Sequence, residues 1–164
     1  MLIGASTFSL HTSTGEMAAH AALQAVMEIT ERETLPQAAW ELLVELVHNV
    51  YEHASADPSI DTQWGVEIVP DTDVVHLRIF DEGIGIASEK LPLLFAEKNS
   101  AHNFRGKGLL ALKKYVRTGA VMDAEVSSDG ATIRFNGKNS LLTGIRPPVP
   151  GVEVTALCRR GGFQ

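Results

Sequence analysis

The chain has 164 residues, 45% of them hydrophobic, with 14 Lys+Arg against 20 Asp+Glu and a formal net charge of −6. This fits one compact domain, and no apolar run reaches the roughly 20 residues that a bilayer-crossing helix needs. The charge is split, with 14 acids and 2 bases over residues 1–82 against 6 acids and 12 bases over 83–164. The bases lie in no Arg-rich run and alternate with no aromatics, which argues against a nucleic-acid face.

In chain order, the start Met1-Leu2-Ile3-Gly4-Ala5 lacks the basic and continuous apolar stretches of a secretory signal, so the expected location is the cytosol. Residues 1–12 are mixed and predict an edge strand over Thr7 to Leu10. Thr14 and the apolar series Ala18, Ala22, Leu23, Val26 and Ile29 predict a helix over about 15–31. Pro36 opens a second helix, Leu35 to Ala56, which Asp57-Pro58 ends. Trp64 to Val69 and Val74 to Phe80 read as a hairpin around the turn Pro70-Asp71-Thr72-Asp73. After Asp81-Glu82-Gly83-Ile84-Gly85 come about 20 residues without periodicity, a length that inside a compact domain marks a functional loop. A helix follows from Gly106 to Arg117. Strands Val121 to Ser127, Ala131 to Phe135 and Val152 to Cys158 finish the chain, with turn signals at Asp129-Gly130 and Asn136-Gly137. Pro147-Pro148-Val149-Pro150 blocks regular structure before the last strand. Cys158, the single cysteine, has no disulfide partner and is expected as a small buried hydrophobe. The order of elements predicts an α+β layer sandwich.

On a helix over residues 40–54, Glu41, Glu45, His48, Asn49, Glu52 and His53 share an arc of about 140°. Trp40, Leu43, Val44, Leu46, Val47, Val50, Tyr51 and Ala54 fill the other side. A merely solvated polar face is one reading. The stripe, however, holds acids, an amide and imidazoles without Lys or Arg, a donor set that suits a hard cation such as Mg²⁺. Glu45, Asn49 and His53, at i, i+4 and i+8, project along one line as a carboxylate, an amide oxygen and an imidazole, able to serve as base, metal ligand and phosphate contact. A zinc site from His48, His53 and Glu45 is disfavoured, because a spacing of five turns the two rings about 140° apart.

Asp81 ends a strand with Gly83 and Gly85 beyond it. Such glycines permit positive φ and close approach of a ligand, and an Asp at this edge can accept from an exocyclic amine such as N6 of adenine. An ordinary turn is the alternative. Arg105-Gly106-Lys107-Gly108-Leu109 opens a helix, where free backbone N–H groups, the helix dipole and the two cations make an anion site fit for phosphates. Neither a Walker loop nor a dinucleotide fingerprint is present.

Together, Glu45-Leu-Val-His-Asn49-Val-Tyr-Glu-His53, Asp81-Glu-Gly83-Ile-Gly85-Ile86 and Gly106-Lys-Gly108-Leu109 resemble the N, G1 and G2 boxes of the superfamily of gyrases, heat-shock chaperones, histidine kinases and MutL ATPases. The resemblance spans about residues 37–117. It implies a Bergerat fold, a two-layer α/β sandwich whose mixed, mostly antiparallel sheet is backed by helices, with ATP and Mg²⁺ as cofactors. It further implies Glu45 as general base, Asn49 as magnesium ligand, His53 near the phosphates and Asp81 on the adenine amine. Gly83, Gly85 and Ile86 would border the base, and residues 87–105 would form an ATP lid. Lys98, Arg105 and Lys107, with the Gly106 to Leu109 backbone, would neutralise phosphate charge. Two departures stand out: Leu110-Ala111 where a further Gly is usual, and Gly151-Val152 where the last strand commonly opens Gly-Thr, which removes a side-chain hydrogen bond near adenine.

Within that superfamily, clamp-like members carry a transducer domain, for which residues after 117 leave no room, and His11 and His20 lack the flanks of a phosphoacceptor histidine. The chain most resembles stand-alone switch kinases of the anti-sigma factor type, read as a single domain over 1–164, with residues 1–33 available for dimer or partner contact. The implied activity is ATP-dependent serine/threonine phosphorylation of a STAS-like or sigma-factor-like partner, with no direct nucleic-acid or membrane contact. An ATP-gated binding module without catalysis and an orphan sensor-kinase catalytic domain are the alternatives.

Overall fold

The computed structural model describes residues 8–13, 24, 28, 36–53, 63–91, 106–136, 139–143 and 151–160, of which 8–13, 48–53, 106–110 and 139–143 are described by backbone alone. The elements are β1 (Phe8–Ser13), α1 (Gln37–His53), β2 (Gln63–Pro70), β3 (Val74–Asp81), a 3₁₀ turn (Ser88–Lys90), α2 (Gly106–Thr118), β4 (Val121–Ser128), β5 (Ala131–Phe135), β6 (Asn139–Thr143) and β7 (Glu153–Arg159). Of the helix expected over 15–31, Gln24 and Glu28 are helical and the remainder lies outside the described residues, as do residues 92–105 of the expected lid.

The strands form one seven-stranded sheet in the order β1-β2-β3-β7-β4-β5-β6. All of its ladders are antiparallel. This is the α+β sandwich with a mostly antiparallel sheet that the sequence predicts. Alternation along the strands decides which face is buried. One cross-sheet row runs Val66, Ile79, Val154, Val126 and Ile133, and the next runs Ile68, Leu77, Ala156, Ala124 and Phe135, each residue in register with its neighbour. All ten are buried and pack with Ala39, Leu42, Leu43, Leu46 and Val47 of α1 and Leu112 of α2. At about 1.5–3 kcal/mol for each large aliphatic side chain taken out of water, this layer holds the helices on the sheet.

The opposite face carries the alternate residues, and there the charges pair. Arg78 on β3 donates to Glu67 across the ladder at 3.0 Å and to Glu153 at 3.1 Å, with its guanidinium 4.1 Å from the Phe80 ring centroid. Partial burial works against its charge, but the hydrogen bond to Glu153 and the two carboxylates outweigh that cost and raise its pKa. Arg134 makes a two-pronged pair with Asp123 at 3.1 and 2.8 Å. Arg159 donates to the Gly119 carbonyl and Arg160 to that of Asp71. Three of the twelve bases after residue 83, Arg134, Arg159 and Arg160, thus tie down strand ends and the sheet face.

Turn chemistry follows the sequence closely. Asp129 and Gly130 both sit at positive φ, 51° and 74°, as a two-residue hairpin of the primed type requires. α2 stops at Gly119, in the left-handed region at φ 83°. β6 is an additional strand that the sequence reading does not contain, paired with β5 from Ala131–Thr143 to Phe135–Asn139. Cys158 is fully buried, and burial pushes its thiol up to about 12. Since the thiolate is the reactive form, fewer than about one thiol in a thousand is ionised at pH 8. A disulfide reagent at that pH is expected to leave the native protein unmodified and to titrate one thiol in guanidinium; rapid native labelling would contradict the burial.

No helix among the described residues is long and apolar enough to cross a membrane.

Candidate functional site

Strand order determines where chemistry can gather. β3 and β4 both run antiparallel to β7, which lies between them. The C-terminal ends of β3 and β4 therefore flank the start of β7. Three segments distant in sequence meet at this one end of the sheet: Asp81 closing β3, Ser127-Ser128 closing β4, and Gly151-Val152 leading into β7.

Asp81 is 2% exposed. Its Oδ1 accepts the Gly83 N–H at 3.0 Å and the Val152 N–H at 3.3 Å, and its own backbone N–H donates to the Val152 carbonyl at 2.9 Å. One carboxylate thus holds the turn after β3 against the turn before β7. Contact is close enough to dictate glycine. Gly151 sits at φ +76°, and a Cβ there would lie 1.9 Å from the Asp81 carbonyl oxygen. Gly85 sits at φ +71°, and its Cβ would lie 3.0 Å from Ser128 Oγ.

Ser128 contributes the third wall. Its hydroxyl donates to the Gly151 carbonyl at 2.6 Å and accepts the Ile86 N–H at 2.8 Å. Next to it, Asp129 Oδ2 accepts the Ser88 N–H at 3.1 Å. The result is a cavity of about 350 Å³ bordered by Gly83 to Ala87, Ser128, Asp129 and Gly151. Three of its lining residues are glycines, and at Gly85 an added Cβ would crowd Ser128 Oγ and the Gly151 carbonyl. Asp81 lies beneath these walls and fixes them.

Of the residues singled out in the sequence, Asp81, Gly83, Gly85 and Ile86 are brought together here. Glu45 is not part of this cavity. It is half-buried in a second groove, of about 450 Å³, between α1 and α2, with Trp40, Glu41, Lys114 and Tyr115. The two cavities share no lining residue. Asn49 and His53 follow Glu45 by one and two turns of α1, and Gly106, Lys107, Gly108 and Leu109 form the first turn of α2; the side chains of these six lie outside the described set. α1 and α2 pack directly on each other. Lys98 and Arg105 lie outside the described residues altogether.

One expectation needs revision. Trp40, placed on the apolar side of α1, is 37% exposed. The buried arc is centred on Ala39, Leu42, Leu43, Leu46 and Val47, and Trp40 with half-buried Val44 falls at its margin, where both border the groove instead of the sheet. Ser128 and Asp129 carry no site signal in the sequence, and Gly151 enters there only through the Gly151-Val152 departure. Asp129-Gly130 announced a hairpin, but which loops that hairpin would touch depends on strand order, for which a single Ser or Gly carries no signal.

Residues 34–139 match the family described as Histidine kinase-, DNA gyrase B-, and HSP90-like ATPase. The match runs from just before α1 to the start of β6, so it contains Glu45, Asp81 and the Gly106 turn and stops short of Gly151. No curated protein matches the chain.

Proposed function

Since the chain belongs to the histidine kinase-, DNA gyrase B- and HSP90-like ATPase family, and such domains bind ATP, we propose that the adenine of ATP enters at the Gly83 to Ala87 cavity. The observation that carries this reading is the buried Asp81 carboxylate under a glycine-lined cavity. A purine needs such a place: a cavity that glycines let it approach closely at the backbone and a fixed acceptor for its amine. Asp81 supplies the acceptor. The triphosphate then runs toward the first turn of α2, where the Gly106 to Leu109 amides, Lys107 and, from the lid, Lys98 and Arg105 offset its charge.

Mg²⁺ takes few protein ligands and draws the rest from phosphates and water. Asn49 would be the protein ligand, and the ion when bound supplies charge neutralisation on the transferring phosphoryl group.

We read the activity as protein phosphorylation by a stand-alone switch kinase in an anti-sigma-type system. Glu45 orients and deprotonates a partner Ser or Thr hydroxyl, whose oxygen forms a bond to the γ-phosphorus as the bond to the ADP oxygen breaks; the proton passes to Glu45. The groove at Glu45 supports a protein acceptor, because it shares no lining residue with the adenine cavity and is lined by the aromatic side chains of Trp40 and Tyr115. To test this, the protein is mixed with Mg·ATP and a STAS-domain partner and the phosphopartner is quantified. Glu45→Ala is expected to lower transfer by about 10²–10⁴-fold with ATP binding retained. Absence of transfer from the parent protein would favour the other reading, a module in which ATP only sets the conformation that binds a partner.

A further inference from the structure

The last strand opens with Gly151-Val152, so no hydroxyl is available from position 152 to organise the end of the sheet around Asp81. The structure contains a hydroxyl elsewhere that touches the same segments. Ser128 is 1% exposed, and its hydroxyl both donates to and accepts from backbone atoms of the cavity wall: it donates to the Gly151 carbonyl, 23 positions away, and accepts from the Ile86 N–H, 42 positions away. Neither bond is a ladder bond of the sheet. Each joins β4 to a loop. Asp129, the next residue, adds a tie to Ser88. Gly85 fits between these bonds only because it lacks a Cβ.

We propose that Ser128 is a positioning residue of the nucleotide site, its hydroxyl clamping the Gly83 to Ile86 loop to the Gly151 turn and so setting the width of the adenine slot. The proposal rests on the adenine reading given above. Asp81 ties the two segments together through Gly83 and Val152, and Ser128 ties the same two segments through Ile86 and Gly151. With the hydroxyl removed, the Ile86 N–H and the Gly151 carbonyl lose a shared partner, and the loop can move off the base. A looser slot discriminates purines less well, because an amine and a carbonyl at the purine 6-position are told apart only when the base is held in one place.

The neighbouring residue provides a control. Ser127 makes a buried hydroxyl bond of 2.8 Å to Thr132, on the same hairpin but between strands. The experiment titrates the full chain with a fluorescent ATP analogue, competes it with ATP and GTP, and records thermal unfolding of Ser128→Ala and Ser127→Ala. Both variants are expected to lose a similar amount of stability. Ser128→Ala alone should bind ATP about tenfold more weakly and show a smaller preference for ATP over GTP. ATP affinity and base preference equal to those of Ser127→Ala overturn the proposal and leave the adenine reading in place. Absence of nucleotide binding by the parent chain overturns both. If Ser128→Ala does not fold, Ser128→Cys, which keeps the volume but offers a weaker donor and acceptor, takes its place; the same loss of base preference is expected, and an unchanged preference overturns the proposal.

Discussion

Gly151→Ala is expected to destabilise the protein by about 2–5 kcal/mol, the sum of a left-handed backbone penalty of roughly 1–2 and an overpacking penalty of roughly 1–3. Both penalties are specific to this position. The residue sits at φ +76°, and the added Cβ would meet the Asp81 carbonyl oxygen at 1.9 Å and Asp81 Oδ1 at 2.4 Å. The obstacle is backbone on the neighbouring strand end, which cannot turn aside as the tip of a long side chain can. Gly85→Ala provides the scale. Its φ is +71°, but its nearest neighbours are Ser128 Oγ at 3.0 Å and the Gly151 carbonyl at 3.2 Å, so a small shift relieves the contact and the loss should be about half as large or less. Urea denaturation of both variants measures the difference. A Gly151→Ala protein within about 1 kcal/mol of the parent would show that β3 and β7 do not approach as described.

Asp81→Asn should leave the fold in place and weaken ATP binding by about 5–150-fold, corresponding to about 1–3 kcal/mol for a mismatched buried hydrogen-bonding group. The amide retains one carbonyl oxygen, which can still accept the N–H groups of Gly83 and Val152. What changes is the other half of the group, from acceptor to donor. Two donors, the amide NH₂ and the adenine amine, then face each other in a place closed to water. Guanine carries a carbonyl at that position, so the same substitution should spare GTP or improve its binding relative to ATP. Competition titrations read this ratio directly. A ratio that does not move would remove Asp81 from contact with the base, whatever happens to stability.

The hairpins and helices were legible because their signals are local. Asp129-Gly130 needs no partner to favour positive φ, and Leu43, Leu46 and Val47 mark a buried helix face by spacing alone, whereas the equally buried Leu42 is not on the arc read from the sequence. β6 was not legible. Asn139-Ser140-Leu141-Leu142-Thr143 is poor in β-branched residues, and it is a strand because β5 offers it an edge. Trp40 shows the limit of periodicity: an apolar residue at the margin of an arc faces the core or solvent according to what packs beside it, and here that is the α2 groove. The site divides along the same line. Asp81 and its glycines stand close together in the chain, whereas Ser128 and Gly151 join them only through the pairing of β3 and β4 with β7.

That pairing also orders events in time. Among the described elements β7 comes latest in the chain, and yet it occupies the middle of the sheet, between strands made some 25 to 75 residues earlier. Until it inserts, β3 and β4 have no common neighbour, and each exposes an unpaired edge. The same insertion brings Gly151 to Asp81 and to Ser128. Completing the sheet and completing the nucleotide slot are therefore one step, and ATP can stabilise only chains that have taken it. A nucleotide present during refolding would act as a check on the final strand, favouring molecules with β7 seated over those with an open sheet.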